Sequence, residues 1–101
     1  MYVIATTKSG DCYTLVAVPG ANALQAFKGS EYVGGVVAVP PKAVKDFRRA
    51  LTVDTDGSEF VCRNSAGAEL LRTRRYSALP GQVLVNRQGD LSGIIVSVDP
   101  A

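Results

Sequence analysis

The sequence predicts a β-rich α+β fold, a single domain over residues 1–101. Seven or eight short, mostly antiparallel strands would form a twisted sheet or a small partly closed barrel, with one clear helix over 41–51 and a second short helix over 21–28. Three observations carry this expectation. Gly, Asp, Asn and Pro clusters recur between short runs of β-branched and aromatic residues, so most of the chain reads as hairpins. One stretch alone sustains apolar residues at helical spacing. A chain of 101 residues that is 47% apolar and 20% charged fits one folded domain and argues against disorder.

Lys8-Ser9-Gly10-Asp11 separates residues 2–7 from 12–18, two strand-like runs that form the first hairpin. Pro19-Gly20 ends the second run. Leu24 and Phe27 then fall three apart ahead of Gly29, the basis for a helix over 21–28. Residues 31–39 return to strand character, and Gly34-Gly35 within them marks a bulge or a close backbone approach. Pro40-Pro41 stops that strand, with Pro41 suited to a first helical turn. Ala43, Val44, Phe47, Ala50 and Leu51 follow at i, i+1, i+4, i+7 and i+8, one helical stripe with Phe47 at its centre. Val16-Ala17-Val18-Pro19 and Val37-Ala38-Val39-Pro40 echo one another, each ahead of a predicted helix, as a duplicated strand–helix unit would. The rest is hairpins. Residues 51–54 and 59–63 flank Thr55-Asp56-Gly57-Ser58, whose Asp-Gly pair is a strong turn signal. Asn64-Ser65-Ala66-Gly67 leads into 68–73, Leu79-Pro80-Gly81 interrupts, and 83–85 pairs with 91–98.

The chain has no histidine, which removes the side chain that titrates near neutrality and the commonest metal ligand. Ser-His-Asp and Cys-His chemistry are thereby excluded. Cys12 and Cys62 lack zinc spacing and read as small core hydrophobes with free thiols. Asp54-Thr55-Asp56-Gly57-Ser58-Glu59 has Gly fourth and Glu sixth, which does not fit a calcium loop and reads as a solvated hairpin tip. Ser9 beside Lys8 reads as a turn, and no glycine-rich stretch matches a phosphate loop. The chain is therefore expected to be no enzyme, with no metal, cofactor or small-molecule substrate. The start, Met1-Tyr2-Val3-Ile4-Ala5-Thr6-Thr7-Lys8, shows no leader pattern. The apolar stretches 33–41 and 92–98 fall far below the ~20 residues of a membrane span, so a cytoplasmic protein without membrane contact is expected.

Val85-Asn86-Arg87-Gln88-Gly89-Asp90-Leu91-Ser92-Gly93-Ile94 resembles the hairpin that follows the nucleophile in trypsin-like bacterial proteases, and also the repeated hairpin of PRC-type barrels. The preceding Ser77-Ala78-Leu79-Pro80-Gly81 lacks the Gly-x-Ser-Gly-Gly pattern of the proteases. The resemblance covers about a sixth of the chain and assigns no family.

Two basic clusters remain. Lys42, Lys45 and Arg49 lie opposite the Phe47 stripe with Arg48 beside them, while Arg72, Arg74 and Arg75 adjoin Tyr76. If they converge, they could neutralise several phosphates, with Tyr76 as a stacking surface. Against that stand a net charge of only +2 and Asp46, placed to pair with Lys42 and Arg49. High apolar content in so short a chain points instead to surface buried against another subunit, and long β-rich edges offer backbone groups that a partner strand could satisfy. The expected function is a small non-enzymatic protein-interaction or assembly module that self-associates or binds another protein. Such a module would serve as structural subunit, adaptor or inhibitor, a type that viruses and mobile elements use. A nucleic-acid-binding module built on the two basic clusters is the alternative.

Overall fold

Side-chain alternation along short strands, with small and large apolar residues facing inward, lets this chain close a sheet on itself. The computed structural model describes residues 2–21 and 23–101. Nine strands follow in order: β1 (Tyr2–Thr7), β2 (Cys12–Val16), β3 (Gln25–Lys28), β4 (Glu31–Val37), β5 (Thr52–Asp56), β6 (Glu59–Arg63), β7 (Glu69–Arg74), β8 (Val83–Asn86) and β9 (Leu91–Pro100). Six of them form a closed barrel in the order β1-β2-β3-β4-β8-β9, while β5-β6-β7 form a separate sheet. Every pairing is antiparallel. The β-rich α+β class holds, with a fully closed barrel and nine strands where seven or eight were expected.

Register explains the barrel's interior. Val3 faces Leu15, Leu15 faces Ala26 and Ala26 faces Gly34, one cross-strand row that points inward. Leu15, Ala26, Leu84, Ile95, Ala5 and Tyr13 fill the centre with Leu24 and Val36, as side chains do in small barrels. Gly34 has φ 151° and a Cβ there would overlap the carbonyl oxygen of Val85. This is the close approach announced by Gly34-Gly35, and it lets β4 pair with β8 to complete the ring.

The helix expected over 21–28 is not formed. Gln25–Lys28 is β3, Ala21 and Leu24 lie in no regular element, and Asn22 lies outside the described residues. Cross-strand packing overrides the three-residue spacing: Leu24 enters the barrel core, while Phe27 turns outward, its ring 5.7 Å from that of Tyr32. The echo between 16–19 and 37–40 is therefore no repeated strand–helix unit.

The helix expected over 41–51 is present but shorter, a 3₁₀ turn over Pro41–Ala43 running into α1 (Val44–Arg49). Ala50 is already extended, and the Leu51 N–H donates to the Arg63 carbonyl at 3.0 Å, so pairing with β6 ends the helix. Leu51 is consequently 68% exposed, not part of the buried stripe. Val44 is the buried helix residue, and Phe47 packs half-buried against a second core cluster of Val37, Val39, Val83 and Val85. In the second sheet β6 buries Phe60, Val61 and Cys62 in succession. Cys12 is instead exposed, because Tyr13 and Leu15 occupy the inward positions of β2; only Cys62 is the core thiol expected of both, and neither forms a disulfide. Among the described residues, no helix is long and apolar enough to cross a membrane.

Candidate interaction surface

The two basic clusters occupy different faces. Leu71 packs with Phe47 against the second core cluster, so Arg72 and Arg74, which alternate with Leu71 and Thr73 along β7, project from the opposite side of the sheet. Lys42, Lys45, Arg48 and Arg49 lie on the helical segment. Most of these cations are engaged within the chain. Arg48 meets Asp90 and Arg49 meets Asp46, each at 3.0 Å. Arg72 is held by three carboxylates, Glu69 at 2.7 Å, Glu59 at 3.1 Å and Asp56 at 3.3 Å, which raise its pKa above the ordinary arginine value in that order of hydrogen-bond strength. Asp54 stands 3.9 Å from Arg63. The acidic residues of the second sheet thus face arginines on an exposed surface.

Arg75 and Tyr76 act as a clasp. The Arg75 guanidinium lies 4.9 Å from the centre of the Tyr76 ring and 5.8 Å from that of Phe60, and its Nη2 donates to the Ala21 carbonyl at 3.4 Å. The Tyr76 hydroxyl donates to the same oxygen. Tyr76 holds φ 55°, a left-handed conformation rarely adopted by a bulky side chain. These contacts tie the β7–β8 connection to the loop after β2. Lys42, Lys45 and Arg74 make no ion pair among the described residues, and Arg74 sits across the sheet from the two lysines.

A different surface is built by the outward positions of β1, β2 and β3. Tyr2 pairs with Val16, Ile4 with Thr14, and Thr14 with Phe27, so these five side chains adjoin on the outside of the barrel. Tyr2 is 56% exposed. On one side of it, a shallow groove of about 450 Å³ runs between Val16, Val18 and Phe27. On its other side a recess of about 310 Å³ opens at the barrel's end, floored by Val3, Leu15 and Leu24 and walled by Ala78, Val98 and Tyr76. Among the described residues, neither hollow is lined by a charged side chain. Charged residues stand at the border: Asp99 pairs with Ile4 on β9, and the Arg87 guanidinium lies 5.9 Å from the Tyr32 ring centre.

No family model, curated protein or solved structure gives a significant match to this chain.

The uncharged wall was not among the sequence-derived candidates. Its signal lies in residues 12–27, a run without one charged side chain. Two strands drawn from such a run must expose an uncharged face whichever side turns inward, because strand side chains alternate. The sequence sets residues 2–7 beside 12–18 but reads 21–28 as a helix, so it does not place Phe27 beside β2 on that face.

Proposed function

We propose that this protein is a small non-enzymatic interaction and assembly module that self-associates, using the wall around Tyr2 as its contact surface. The observation that carries the reading is the pair of adjoining hollows beside exposed Tyr2, lined mainly by apolar side chains and by no charged one among the described residues. An apolar centre with charged residues at its margin is the anatomy of protein interfaces, and contiguous exposed apolar surface on a small domain marks a site of association. Self-association takes precedence because closed two-fold assemblies are the commonest oligomers. A cytoplasmic setting suits the two unpaired thiols.

The alternative nucleic-acid reading draws less support. Arg48, Arg49 and Arg72 already serve carboxylates, Arg75 is turned into the clasp, and the remaining members of the two clusters, Lys42, Lys45 and Arg74, are divided between two faces.

Sedimentation velocity of the full chain across a wide concentration range tests the proposal. The native chain is expected to associate, and Val16→Asp, which sets a charge in the groove without entering the core, is expected to weaken association by about tenfold or more. A native chain that stays monomeric throughout would refute self-association, and undiminished association of Val16→Asp would refute the wall as its surface.

A further inference from the structure

We propose that two copies of this chain pair antiparallel through β5, about a two-fold axis at Val53, joining their three-stranded sheets into one of six strands. The inference rests on the reading of the chain as a self-associating module but uses a surface separate from the barrel wall.

β5 pairs only with β6, and all five of its residues are exposed. Its pairing with β6 is regular, without a register shift, and the strand carries no proline or lysine of the kind that commonly guards an edge. The hairpin to β6 has a two-residue loop, Gly57-Ser58, with Gly57 at φ 61° and Asp56 paired with Glu59 at its base. The pair closing such a loop is hydrogen-bonded, and hydrogen-bonded and open pairs alternate along the ladder. Asp56, Asp54 and Thr52 therefore direct their backbone groups to β6. Val53 and Thr55 direct theirs away from it, as unused donors and acceptors.

Charge selects the register. An axis at Asp54 sets that carboxylate against itself, and an axis at Thr55 sets Asp54 against Asp56, both unfavourable across a strand pair. An axis at Val53 opposes Val53 to Val53 and Thr52 to Asp54. In that register, the outward backbone groups of the two Val53 residues meet one another. Val53, 47% exposed, lies on the face of β5 opposite Asp54 and Asp56, so pairing sets the Val53 side chains of the two copies against one another. The carboxylates lie on the opposite face, where Asp54 and Asp56 are partly neutralised by Arg63 and Arg72.

Amide hydrogen exchange of the full chain, followed residue by residue across the concentrations where it associates, tests the pairing together with two substitutions at exposed Thr52. The Val53 amide is expected to exchange freely when dilute and to gain protection on association. Thr52→Asp, which faces Asp54 of the second copy twice per dimer, should weaken association by about tenfold, and Thr52→Lys should strengthen it. Association with the Val53 amide unprotected and both Thr52 variants unchanged would overturn β5 pairing while leaving the wall and the self-association reading intact. A native chain that never associates would overturn both.

Discussion

Cys62 is fully buried on β6, and burial pushes its thiol above the ordinary cysteine value, whereas Cys12 stands exposed on β2. A raised thiol pKa means less thiolate at neutral pH, and thiolate is the reactive form. An alkylating reagent at neutral pH is expected to modify one equivalent per native chain, at Cys12, with the second appearing only on unfolding; equal labelling of both in the native chain would contradict this placement. Sequence alone made the two cysteines equivalent, since each adjoins apolar residues, and only register shows that Tyr13 and Leu15 take the inward places beside Cys12. Arg75 and Tyr76 were similarly opaque. Their shared acceptor, the Ala21 carbonyl, lies more than fifty positions earlier in the chain, and no local pattern encodes a contact at that separation.

At the scale of elements, turn chemistry made most of the fold legible. Glycines at hairpin corners, such as Gly10 and Gly57 with positive φ, separate β1 from β2 and β5 from β6 as the sequence suggests. The error at 21–28 arose because a four-residue strand shows too little alternation to outweigh a three-residue apolar spacing: Ala26 is the inward residue of β3 and Phe27 the outward one. Helix α1 was legible in its existence but not in its anchor. Val44 is buried and Phe47 half-buried, so Phe47→Ala is expected to cost about 2 kcal/mol, below the roughly 3–5 kcal/mol of a fully enclosed phenylalanine. Denaturant unfolding checks this. A loss near 5 kcal/mol would place Phe47, not Val44, as the principal anchor, and no loss would mean that the helix is not held by this face.

Across the whole molecule, eleven basic and nine acidic side chains leave a net charge of +2, and their arrangement says more than their sum. Ion pairs gather on the second sheet, on α1 and at the Asp11–Lys28 corner of the barrel, while among the described residues the hollows around Tyr2, Val16 and Phe27 hold none. The expectation of an interaction module followed from apolar content, but the location of the surface proposed for it depends on which strands lie side by side. Solvent access at that surface tests the central claim most directly. A soluble paramagnetic agent added to the native chain should broaden the resonances of Val16 and Phe27 when the protein is dilute, and this broadening should fade as concentration rises and the wall is covered. Equal broadening at every concentration, with the mass of a monomer throughout, would contradict the account.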